Sequence, residues 1–108
     1  MVYIFTTNYV PYNKGTELTK LYLSTIKKFN SEAKGLFKEI IANAVKAKKD
    51  YIEVIGVNEV DDNNLAKFLK AQQKYMAQFH NIEGYSYDIE IRYKITEALE
   101  MIGMKMPE

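Results

Sequence analysis

The sequence predicts an α+β domain, and three observations carry that prediction. In Gly84–Tyr93, GYSYDIEIRY, the residues Tyr85, Tyr87, Ile89, Ile91 and Tyr93 alternate with Ser86, Asp88, Glu90 and Arg92, a period of two that gives a strand one apolar and one charged face. Two other segments, about 16–29 and 62–79, repeat apolar residues every three or four positions, as a helix packed on one side does. Ahead of each helical segment lies a β-branched and aromatic stretch, 2–10 and 51–60.

The 108 residues form one domain, 1–108, large enough to bury roughly two thirds of its unfolded surface without staples. Hydrophobic residues at 47% and charged residues at 27% argue for a globular chain and against disorder. There is no Cys, which excludes disulfides, thiolate nucleophiles and Cys-based metal sites. One His excludes a multi-histidine metal site within a chain, and no cofactor or metal is expected. The opening MVYIFTTNYV lacks a basic segment and a small-residue cleavage site, and no apolar run approaches the roughly 20 residues of a membrane span. A cytoplasmic protein without a membrane partner is the expectation.

Charge is unevenly placed. Residues 1–49 carry nine Lys against three Glu, or +6, and residues 50–108 carry six basic against eleven acidic residues, or −5. Attraction between the two halves accounts for this. The lysines Lys27, Lys28, Lys34, Lys38, Lys46, Lys48 and Lys49 include no Arg to read guanine, so nucleic acid is not an expected partner.

In order, residues 2–10, VYIFTTNYV, are apolar on both alternating faces and read as a central strand ending at Pro11. Leu18, Tyr22, Ile26 and Phe29 mark a helix over about 16–29, with Thr16 as its cap. Residues 30–49 fit either period: Ala, Lys and Glu favour helix, with Ser31 as a cap, whereas the spacing to the next strand suits a hairpin. Residues 51–60, YIEVIGVNEV, read as a strand in which Gly56 marks a bulge or a close approach. Asp61 and Asp62 suit the start of the next helix, about 62–79, whose stripe is Leu65, Phe68, Leu69, Gln72, Met76 and Phe79. His80, Asn81 and Gly84 turn the chain into the alternating strand. Thr96 then caps a short helix that Gly103 ends.

This layout, with HNIEGYSYDIEIRY followed by ITEALEMIGMKMP, resembles the small ferredoxin-like proteins of the dimeric α/β barrel superfamily, in particular short members without assigned activity. The resemblance implies a βαββαβ antiparallel sheet of order 4-1-3-2, with residues 41–48 as its second strand and two long helices on one face. It also implies a homodimer formed through the other sheet face. A first strand apolar on both faces points the same way, since one layer of two helices covers only one of them.

No GxGxxG, P-loop, HExxH or nucleophile-elbow pattern is present. The single His80 ends the second long helix, where it serves as a capping residue or as a candidate catalytic acid/base. A pocket, if formed, lies between helices and sheet, with Asn8, Tyr22, Phe68 and His80 as walls and a small apolar or aromatic ligand as occupant. Haem-degrading members of the superfamily pair an Asn on the first strand with a His on the second helix and a Trp nearby; Asn8 and His80 match two of these, and no Trp exists. The expected function is therefore a homodimeric small-ligand-binding or interaction module. Its alternatives are a cofactor-independent monooxygenase or isomerase acting on a small aromatic or polyketide-like compound and, less favoured, haem binding or degradation.

Overall fold

The computed structural model describes residues 1–107. Its elements are β1 (Val2–Val10), α1 (Gly15–Glu32), β2 (Lys38–Ala47), β3 (Ile52–Val60), α2 (Leu65–Met76), β4 (Ser86–Tyr93) and α3 (Ile95–Met101). The strands form one antiparallel sheet in the order β2-β3-β1-β4. Counted from the β4 edge, the same sheet reads 4-1-3-2.

The ambiguous stretch divides. Its first residues extend α1 to Glu32, so Ser31 lies in the last turn, while Lys38–Ala47 becomes β2. Pairing with β3 across the turn at 48–51 overrides the local helix preference of Ala, Lys and Glu. Two expected caps are not used. Lys14 and Lys94 occupy the cap positions of α1 and α3, which leaves Thr16 and Thr96 inside the first turns. Asp61 caps the short turn Asp62–Asn64 that leads into α2, its carboxylate accepting from the Asn63 amide at 3.5 Å, while the cap position of α2 itself is Asn64, whose side chain makes no capping bond.

β2 is irregular. Its register against β3 shifts twice, between Glu39 and Ile41 and between Ile41 and Ala44, so that β2 carries extra residues and bends away. Gly56 lies opposite this region. A Cβ there would sit 3.2 Å from Asn43 Oδ1 and 3.8 Å from the Ile41 carbonyl, which is the close approach that a mid-strand glycine signals.

Register assigns the faces. Even-numbered residues of β1 and β3 pair with each other and with odd-numbered residues of β4, and together they face the long helices. Val2, Ile4 and Val60 pack there against Phe29, Phe68, Tyr75, Met76, Phe79 and Ile82. The opposite face carries Tyr3, Phe5, Tyr9, Ile55 and Val57, flanked by the charged side of β4. Neither long helix covers it. Lys94 pairs with Glu59 at 2.7 Å on this side, and the Arg92 guanidinium lies 4.6 Å from the centre of the Phe5 ring.

Gly84, which turns the chain into β4, has φ +81°, and a Cβ there would stand 3.0 Å from Pro11 Cγ. Gly35 has φ +79° with nothing within 4 Å. The left-handed backbone alone makes Gly35→Ala destabilising by about 1–2 kcal/mol. Gly84→Ala is expected to cost more, because the contact with Pro11 adds to the same backbone strain. Urea melts of the two variants measure the difference, and equal losses would remove Pro11 from this account.

Candidate functional site

A cavity of about 350 Å³ lies between the helices and the sheet, within the usual size of a small-molecule site. Thr6, Asn8 and Val10 of β1 and Val54 and Asn58 of β3 contribute sheet-side lining. Tyr22, Ile26 and Phe29 of α1 and Gln72, Tyr75 and Met76 of α2 contribute helix-side lining. The remaining side is the bulged part of β2, through Ile41, Asn43 and Val45. The space exists because the two helices pack over β1 and its neighbours and leave β2 bare. Every residue of β2 is exposed, and Val45 keeps 68% of its surface in contact with solvent.

Polar groups inside the cavity are amides and hydroxyls. The Tyr85 hydroxyl donates to Asn8 Oδ1, and Asn8 Nδ2 donates to the Val54 carbonyl at 3.2 Å. Gln72 Nε2 donates to Thr6 Oγ1 at 2.6 Å. Asn43 Nδ2 reaches the Tyr22 hydroxyl at 3.5 Å. Glu39 is the one lining residue with a charge, and it is exposed on β2.

Burial pushes the Tyr85 phenol far above the ordinary tyrosine value, with the neighbouring Tyr87 and Tyr75 phenols adding to the effect. Burial raises Tyr75 as well, against a smaller opposing effect of the Thr25 hydroxyl. Both phenols therefore remain neutral donors near neutral pH and do not serve as bases. Among the described residues, no three His, Asp or Glu side chains cluster to hold a metal ion, and no helix is long and apolar enough to cross a membrane.

Of the four residues expected to line a pocket, Asn8 and Tyr22 do. Phe68 does not. It is fully buried one layer behind the wall, packed on Phe29 and Phe37 with ring centres 6.3 and 5.2 Å away. His80 is also outside. Met76, Phe79 and Ile82 are buried at intervals of three, the spacing of the tight turn Ala77–Phe79, so Phe79 faces inward and His80, one residue on, faces solvent. Its ring stacks on Tyr87 at 5.6 Å, and Nε2 lies 2.8 Å from the Tyr87 hydroxyl. Tyr87 is the cross-strand neighbour of Asn8, so the expected Asn8–His80 pair has a tyrosine ring beside it and shares no cavity wall.

Gln72, Thr6 and Asn43 are among the lining groups that were not expected. Gln72 is the polar member of an otherwise apolar stripe on α2, a signal legible in the sequence. Thr6 and Asn43 have no such signal, beyond Gly56 marking where Asn43 approaches.

No family model matches the chain, and no curated protein does. Among solved structures, the "De novo designed protein Foldit4" is similar, with a TM-score of 0.52 and 11% sequence identity over 86% of this chain and 97% of that one. At that identity the likeness bears on the fold alone, a four-stranded antiparallel sheet with helices.

Proposed function

We propose that this ferredoxin-like protein is a small-ligand-binding module whose cavity holds a neutral, partly aromatic compound without transforming it. The observation that carries this reading is the cavity between helices and sheet, walled by aromatic rings and uncharged polar groups. A charged ligand finds no counter-charge in its interior. The alternative, a monooxygenase or isomerase using His80 and a tyrosine as acid and base, has less support, since the inner phenols are held neutral and His80 turns to solvent.

A panel of neutral one- and two-ring aromatics, titrated while amide shifts are followed by NMR, tests the reading. Shifts are expected at Thr6, Tyr22, Val54 and Gln72. A panel in which no compound moves these amides sinks it.

Two copies pair through their open sheet faces, as the dimeric α/β barrel likeness implies. Support comes from the apolar centre of that face, half-buried at Phe5 and Ile55 and packed by neither long helix, and from its charges. Lys38 and Lys46 on β2 point to the open side with no carboxylate within 4.0 Å among the described residues, while Asp88 and Glu90 stand on β4 at the other edge. A two-fold axis parallel to the strands lays β2 of one copy over β4 of the other, with Lys46 level with Ser86 and one same-face step from Asp88.

A further inference from the structure

α3 and the residues after it are apolar without being covered. Ile95, Met101, Ile102, Met104 and Met106 keep between 48% and 68% of their surface in contact with solvent, and within α3 only Glu97, Ala98 and Leu99 are half-buried. Exposed apolar side chains gathered in one short segment mark a contact surface, and methionine adapts to irregular ones. Gly103, at φ +74°, and the Met104 amide, which donates to the Leu99 carbonyl at 2.8 Å, end the helix and turn the chain away from its axis. The start of β2 is bare in the same way. Ile40 and Ile41 are exposed, and Glu39, in register with Asn58 on the helix-facing side, lines the cavity where no helix covers it. Neither Glu39 nor Lys105 has an opposite charge within 4.0 Å among the described residues.

We infer that the cavity is closed by a second copy of this chain, whose segment Ile95–Met106 passes over the β2 edge and lays its methionines on the start of β2, with the partner's Lys105 meeting Glu39. This rests on the pairing of copies through their open faces and makes each site a product of two chains. Position supports it. Tyr93 pairs with Val2, Val2 with Val60, and Lys38 with Glu59, so β4 ends and β2 begins at the same end of the sheet, on opposite edges. The two-fold axis that lays β2 of one copy over β4 of the other therefore brings the partner's α3 to the start of β2. Sheets packed face to face stand about 10 Å apart. α3 spans about 10 Å, and Ile102–Met106 reaches roughly 15 Å further when extended, enough to round one edge strand. Within one copy β1 and β3 lie between β4 and β2, so a chain's own segment has the whole sheet to cross before it reaches its own Glu39.

The chain has no cysteine, so introduced thiols report this contact without background. Glu39→Cys chains are mixed with isotope-labelled Lys105→Cys chains, left to exchange subunits and oxidised, and the mixed disulfide is identified by mass. The control replaces Glu39→Cys with Lys49→Cys, at the other end of β2 and roughly 30 Å from Glu39 along the strand. All three positions are exposed, so the core is untouched. Thiols held together in one assembly meet at an effective concentration of about 1 mM, so at roughly 10 μM chain the Glu39→Cys mixture is expected to cross-link about 100-fold faster than the control. Equal rates in a chain that light scattering shows to be dimeric overturn the inference and leave the pairing of copies in place. A chain that stays monomeric removes both. A Glu39→Cys/Lys105→Cys double variant that oxidises to a cross-linked monomer also overturns the inference, because the segment then covers its own cavity.

Discussion

Phe68→Ala is expected to destabilise the domain by about 3–5 kcal/mol, the cost of emptying a phenyl-sized space in a packed interior. The side chain has no exposed surface. Its ring meets Phe29 at 71° and Phe37 at 54°, edge-on and tilted geometries that add to the burial itself. A domain of this size has only about 5–15 kcal/mol of net stability, so the variant sits close to unfolding at moderate temperature. Because Phe29 and Phe37 also line the cavity, the variant joins new space to that already present instead of letting the core collapse. Urea denaturation with a shared slope for both chains measures the loss. A loss below about 1.5 kcal/mol would mean that Phe68 is not the centre of the core.

The same residue shows why parts of the fold are legible and parts of the site are not. β1, β3 and β4 can be placed within about two residues from sequence, because alternation and β-branching are local properties and each strand has its own. β2 has no comparable signal. Ala42, Ala44, Ala47 and two lysines read as helix, and the strand appears only because β3 stands beside it with register to offer. Its bulges are recorded in the sequence by Gly56 alone.

The site follows from β2. Asn8 and Tyr22 are legible as walls because Asn8 lies on the helix-facing side of β1 and Tyr22 on the sheet-facing side of α1. Phe68 lies on the same stripe, yet its depth depends on where α2 crosses β1, which periodicity does not encode. His80 illustrates a finer limit: α2 gives way to a turn with a period of three at Ala77, and that change directs Phe79 inward and His80 out. Gln72 stands out in the sequence as a polar residue within an apolar stripe. What it faces depends on the uncovered β2, a long-range property of the sheet.

Phe5→Glu is expected to convert the proposed homodimer into a monomer, weakening association by at least about 100-fold while leaving the helix-side core intact. Phe5 is central on the open face, paired in register with Val57 on one side and Glu90 on the other. Four strands about 4.8 Å apart and about nine residues long present a footprint of roughly 600 Å². The accessible area of such a face exceeds its footprint, so it approaches the about 800 Å² per partner of a stable complex. A carboxylate at the centre is stripped of water on association and meets its own copy across the two-fold axis, next to Glu90, so desolvation and like-charge repulsion act together. Arg92, now 4.6 Å from the Phe5 ring, recovers part of this loss in the monomer, which tilts the equilibrium further from the dimer. Light scattering at micromolar concentration reads the mass directly, and the thermal midpoint of the variant extrapolated to low concentration is expected to match that of the dissociated parent. A parent chain already monomeric at micromolar concentration removes the dimer, and a variant that stays dimeric moves the interface away from this face.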